Sequence, residues 1–141
     1  WRKQEVTYMA INNPYQSYRQ NAVNTASPGE LTLMLYNGCL KFINLAKKAM
    51  DENNIEERNR NIQKAQSIIH ELMATLNMDV EISQNFLALY DYIYRRLLEA
   101  NIKNDPAILK EAEDLVTEFR DTWKQAIQIN RRDRYGEGGR A

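Results

Sequence analysis

The sequence predicts an all-α protein, an antiparallel up-down four-helix bundle with a short N-terminal helical or extended segment packed on it. Three observations carry this reading. Apolar residues recur at spacings of three and four along four long stretches, the period of a helix face. The three prolines stand at or just before the starts of predicted segments. No stretch alternates polar and apolar residues as a strand would.

The N-terminal part divides into two. Residues 1–8 (WRKQEVTY) precede Met9-Ala10, which reads as a natural start, so they are set aside as a non-native or upstream extension. Residues 9–26 form a segment that caps the bundle. Asn12-Asn13-Pro14-Tyr15 is a turn-like or extended lead-in. Tyr15 to Asn24 suits a short helix lying on the bundle, because it is polar and lacks an apolar stripe.

The bundle occupies residues 27–130. Ser27-Pro28-Gly29-Glu30 combines a capping serine, a first-turn proline and the acidic partner of a capping box. The helix it starts runs to about Glu52, with Leu31, Leu35, Gly38, Phe42, Leu45 and Ala49 on one seam. Leu33, Tyr36, Leu40 and Ile43 make a second seam at 100° per residue. Asp51-Glu52-Asn53-Asn54 breaks the helix. The next spans about Ile55 to Asn77, with Ile62, Ala65, Ile69, Leu72 and Leu76 inward. Asp79 or Ser83 suits a cap for the third helix, about Glu81 to Lys103. There Ile82, Phe86, Leu89, Ile93 and Leu97 point inward, and Leu87, Tyr90, Tyr94 and Leu98 line the other side. Asp105-Pro106 is a cap followed by a first-turn proline. The fourth helix, to about Asn130, buries Ile108, Ala112, Leu115, Phe119 and Ala126, with Leu109, Val116, Trp123 and Ile127 on a second line. Residues 131–141 (RRDRYGEGGRA) read as a flexible tail. Helices of roughly 22–26 residues joined by short loops must run antiparallel to their neighbours.

At 141 residues the chain is one domain, large enough to bury a core. Its 19 basic and 19 acidic residues cancel. That argues against nucleic-acid or membrane-surface binding driven by overall positive charge. One cysteine, Cys39, excludes an intramolecular disulfide and suits a reducing compartment. No apolar run approaches a membrane span, and no signal peptide is evident, so the expected setting is cytoplasmic.

The sequence offers no catalytic constellation. A di-metal bundle needs Glu-x-x-His on two helices, but the only histidine is His70, and Ser67 stands three residues before it. A lone helical histidine of this kind reads as a surface or boundary residue. Cys39 reads as a small buried hydrophobe. No glycine-rich phosphate cradle is present, so neither metal nor cofactor is expected.

What remains is surface. Second seams on three of four helices reflect either broad burial or grooves for an amphipathic partner. The excess of apolar residues favours grooves. Arg95 and Arg96 read as solvated rim charges beside them, or alternatively as groups that orient an acidic partner.

Several motifs then resemble one family. Ser27-Pro28-Gly29-Glu30-Leu31 with the following LMLYNGCLKF, YDYIYRRLLEANIKND (Tyr90 to Asp105) and FRDTWKQAI (Phe119 to Ile127) are similar to FliS, the flagellin-specific export chaperone. Asn13-Pro14-Tyr15-x-x-Tyr18 resembles the N-terminal segment of that family, and the likeness runs from about Asn12 to Ile129. The resemblance implies a cytosolic helical bundle that binds the disordered C-terminal end of flagellin. It implies that the chaperone prevents premature polymerisation and delivers its client to the flagellar type III export apparatus. The N-terminal segment would occupy part of the client groove when that groove is empty. A tyrosine there, Tyr18 with Tyr15 beside it, would support docking to the export gate. The expected groove residues are Leu33, Tyr36, Leu40 and Ile43 on the first helix, Leu87, Tyr90, Tyr94 and Leu98 on the third, and Trp123 on the fourth. The expected state is a monomer or a weak dimer, with a dimer domain-swapped through Tyr15 to Asn24 as a further alternative. The alternative is a homo-oligomeric bundle whose second seams bury against another copy.

Overall fold

Long amphipathic stretches separated by short polar breaks fold into four helices: α1 (Pro28–Asp51), α2 (Ile55–Ala74), α3 (Ile82–Lys103) and α4 (Pro106–Arg140). The computed structural model describes the backbone of residues 28–140 and the side chains of residues 29–129. The expectations for residues 1–26, including the roles of Tyr15 and Tyr18, lie outside the described residues, as does the Ser27 cap. Among the described residues there is no strand.

The breaks are built by asparagine and aspartate. Asn53 takes the left-handed conformation (φ 57°) that ends α1. Asn54 then caps α2, its Oδ1 accepting from the Glu57 amide at 3.2 Å. At the far end of α2, Thr75 Oγ1 donates to the Leu72 carbonyl at 2.7 Å. Asn77 Oδ1 accepts from the Asp79 amide at 3.1 Å, making a side-chain turn. Neither Asp79 nor Ser83 caps α3, whose N-terminus has no side-chain cap. Asn104 ends α3 in the left-handed conformation (φ 51°). Arg58 clamps this corner from α2, donating through Nη1 to Asn104 Oδ1 at 2.9 Å and through Nε to Asn101 Oδ1 at 3.0 Å. Asp105 Oδ1 accepts from the Ala107 amide at 2.9 Å and so caps α4 behind Pro106.

α1 packs against α2 and α4, and α3 packs against the same two. Each helix therefore has two neighbours and buries a broad arc. On α1 that arc runs from Gly38 through Leu35, Cys39, Phe42, Ala46, Ile43 and Tyr36 to Leu40, roughly 200° of the helix wheel. This corrects the expectation for three groove residues. Tyr36, Leu40 and Ile43 are only 2%, 7% and 0% exposed. Most of both α1 seams faces inward, because the two neighbours each cover one; Leu45, expected inside, is exposed.

A second correction concerns α3. Leu89 and Ile82, expected inside, are exposed, while Tyr90 is buried. The inward line is Ser83, Tyr90, Ile93, Leu97 and Ala100. A phenol can be buried in place of a leucine here because its hydroxyl has a partner: Tyr36 Oη and Tyr90 Oη are 2.6 Å apart. Their rings join Phe86, Phe119 and Trp123 in an aromatic cluster at one end of the bundle. Tyr90 meets Phe119 at 5.3 Å between centroids, Tyr36 meets Phe119 at 5.9 Å, and Phe86 meets Phe119 at 5.8 Å. Trp123 closes the bundle between its last and first helices, donating from Nε1 to the Gly29 carbonyl at 2.8 Å.

α4 continues to Arg140, about ten residues past the expected end near Asn130. A helix already nucleated gains one hydrogen bond per added residue, and arginine and glutamate sustain it. Gly136, Gly138 and Gly139 each oppose it by about 1 kcal/mol relative to alanine.

Candidate functional site

On its α2 side, α3 leaves an apolar line outside the buried arc, and α2 supplies a polar wall beside it. Tyr94 is half-buried, and Leu98, one turn further on, is 44% exposed. Facing them are Gln63, Gln66, Ser67, His70, Glu71 and Ala74 of α2, and together these residues line an open groove of about 770 Å³. The imidazole of His70 lies against the Tyr94 ring at 4.8 Å between centroids. Gln66 Nε2 reaches the Tyr94 carbonyl at 3.5 Å. The α2 wall is invisible to a search for apolar seams because it is built of glutamine, serine and histidine. Its helical period of three and four on the face of α2 next to the core is the signal that was available.

The remaining expected groove residues separate. Tyr36, Tyr90 and Trp123 meet at a different opening of about 330 Å³, at the end of the bundle. A third depression of about 360 Å³ lies between α3 and α4, where Leu89, Leu115 and Phe119 form its apolar wall. Leu40 and Ile43 belong to the core. Leu33 and Leu87 are half-buried at the margins of their helices' inward arcs.

The opposite flank of α3 is charged, and it pairs internally with α4. Tyr92 Oη donates to Glu111 Oε2 at 2.8 Å, and Arg96 Nε donates to Glu111 Oε1 at 2.8 Å. Arg96 and Lys103 both bond Glu99 at 2.6 Å. The bond to Glu111 raises the Tyr92 phenol above its ordinary value, and the Lys103 ammonium holds the Glu99 carboxyl below the usual range. Arg96 is therefore a strut between α3 and α4 and not a rim charge. Arg95 does sit at the rim, paired with Asp91 at 2.8 Å.

Reactive groups are muted. Burial pushes the Cys39 thiol up to about 12, and its sulfur lies 3.8 Å from the Ala65 carbonyl. A thiol held neutral in the core is no nucleophile. Among the described residues no group of three or more His, Cys, Asp or Glu side chains is placed to hold a metal. No helix among them is long and apolar enough to cross a membrane.

The buried phenol pair makes stability fall at high pH. Burial, reinforced by the bond to Tyr90, raises the Tyr36 phenol far above its ordinary value of 10.0, and burial raises Tyr90 as well. Below that pH both states hold the protons and nothing changes. Above it the unfolded chain releases protons that the folded chain keeps. Stability should then drop by about 1.4 kcal/mol per pH unit for each phenol until the raised folded values are reached. Urea midpoints measured between about pH 9 and about pH 11 check this. The fall should be steep in the wild type and shallower with Tyr36→Phe and Tyr90→Phe combined; equal slopes would contradict it.

Known proteins resemble this chain over most of its length. Residues 11–130 match the family described as Flagellar protein FliS. The chain is 62% identical over 131 residues to the Flagellar secretion chaperone FliS of Bacillus subtilis, covering 93% of this chain and 98% of that one. It is 36% identical over 119 residues to the Flagellar secretion chaperone FliS of Escherichia coli, covering 79% and 88% of the two chains. For the protein of the same name from Salmonella typhimurium the figures are 35% over 109 residues, 75% and 81%. These relatives are chaperones, not enzymes. On a match that spans the whole bundle, the chain belongs to the FliS family of flagellar proteins.

Proposed function

We propose that this protein is a cytoplasmic flagellar secretion chaperone that holds the C-terminal segment of flagellin in the groove between α2 and α3. It keeps that segment from premature polymerisation and delivers it to the flagellar type III export apparatus. The observation that carries the reading is the pair Tyr94 and Leu98, apolar side chains one turn apart on the floor of a groove of about 770 Å³. Grooves between helices receive amphipathic helices through anchors at this spacing. The polar α2 wall suits a segment that is disordered when free, since it hydrogen-bonds without requiring a continuous apolar face. Ordering such a segment costs entropy and tempers affinity while permitting a long wrap. Tyr18, with Tyr15 beside it, is proposed for docking to the export-gate protein. With no nucleotide motif in the chain, release comes through competition at the export machinery.

Titration calorimetry with the flagellin C-terminal segment is the test. Saturable binding at a Kd on the order of tens of micromolar or tighter is expected. No heat of binding in that range would remove the proposal.

A further inference from the structure

The opening at the end of the bundle is chemically unlike the α2–α3 groove. Among the described residues, no Asp, Glu, Lys or Arg lines it. Its apolar wall includes Leu35, Leu76, Phe86 and Trp123; the hydroxyl side chains Thr32, Tyr36, Thr75, Ser83 and Tyr90 and the carboxamide of Asn77 also line it. Ser83 is 6% exposed, and among the described residues its Oγ has no hydrogen-bond partner. The phenols are 2% and 4% exposed. They carry two hydroxyl protons, and the single bond between them uses one. Among the described residues, one phenolic proton and one serine hydroxyl are therefore left without an acceptor in a largely desolvated place, where an unmet donor is costly. Burial keeps both phenols neutral, so the opening presents O–H donors and no phenolate.

We propose that this opening, about 330 Å³ in volume, is a binding subsite for a neutral carboxamide side chain, asparagine or glutamine, of a partner segment. The aliphatic stem would rest on Leu35, Leu76 and Phe86. The carbonyl oxygen would accept the spare phenolic proton, and the amide nitrogen would donate to a hydroxyl oxygen. A carboxylate or ammonium would have to shed its water where no opposite charge compensates it. A pure hydrocarbon would displace water from the hydroxyls without replacing its hydrogen bonds. The proposal rests on the chaperone reading only for the identity of the segment that carries the side chain; the chemistry of the opening stands without it.

The test uses the full chain and small probes. The ¹⁵N-labelled protein is titrated with valeramide, valerate and n-pentylamine, which share a chain length and differ in head group. Valeramide should give saturable shifts at the amides of Leu31, Asn77, Ser83 and Phe86, and should bind at least about fivefold more tightly than the two charged probes, the worth of about one hydrogen bond. Tyr36→Phe or Tyr90→Phe alone leaves one phenol with its proton, so each single variant keeps the preference. The two combined remove every phenolic donor and should abolish it, while the near-isosteric rings preserve the fold. Valerate or pentylamine binding as tightly as valeramide would overturn the proposal, as would a preference that survives in the double variant. Because flagellin is absent from this experiment, its failure is distinct from failure of the calorimetric test.

Discussion

Replacement of Ile43 by alanine is expected to cost the bundle about 3 kcal/mol, within the usual range for a large aliphatic side chain deleted from a core. Ile43 is fully buried on α1, on the arc covered by α2 and α4. Both neighbours are held at their ends, α2 by the Arg58 clamp and α4 by the Trp123–Gly29 bond. They have little freedom to close over the missing atoms, so a cavity remains. For a chain of this size the loss corresponds to a fall in Tm of about 10 °C. Urea unfolding provides the measurement: the midpoint should move down at unchanged slope. Binding of the flagellin segment by the folded fraction should be unaffected. A loss below about 1 kcal/mol, or a loss of binding without a loss of stability, would return Ile43 to the partner-facing surface. Tyr90→Ala should behave in the same way, since it removes a buried ring from the aromatic cluster and leaves the Tyr36 hydroxyl without its partner.

Ile43 and Tyr90 also show what the sequence could and could not disclose. Four helices were legible because their apolar period is local, and so were the stops at Asn53-Asn54 and Asn104-Asp105, where cap chemistry involves residues two or three apart. Which of two apolar seams turns inward is not local. Two neighbours hide most of both seams of α1, yet α3, which also has two neighbours, leaves Leu98 in solvent. The difference lies in where α2 and α4 stand. The choice of Tyr90 over Leu89 as a core residue depends on a hydroxyl 54 positions away. Tyr92, which has no evident role along its own helix, is explained by Glu111 on the next. The polar wall of the α2–α3 groove, built of Gln63, Gln66, Ser67 and His70, carries no apolar period and so leaves no mark in the hydrophobic pattern.

Leu98→Glu should separate binding from folding most cleanly. Leu98 is 44% exposed and contributes little to the core, so stability should stay within about 0.5 kcal/mol of wild type. In the complex the same position would be an apolar anchor. The substitution removes that anchor and buries a carboxylate in a groove that already holds Glu71. A central anchor of this kind is worth about 2 kcal/mol or more, so affinity for the flagellin segment should fall by about 30-fold or further. Tyr94→Glu should weaken binding comparably but also cost some stability, because the ring is half-buried and packs on His70. Leu89→Glu is the counterpart on the other flank of α3, equally exposed, at the depression shared with α4. If the client occupies the α2–α3 groove, Leu89→Glu leaves its affinity near wild type while Leu98→Glu does not. The reverse pattern would move the client to the α3–α4 side. Equal losses in both variants would mean that the segment wraps α3 across both flanks, and a single groove would no longer describe the site.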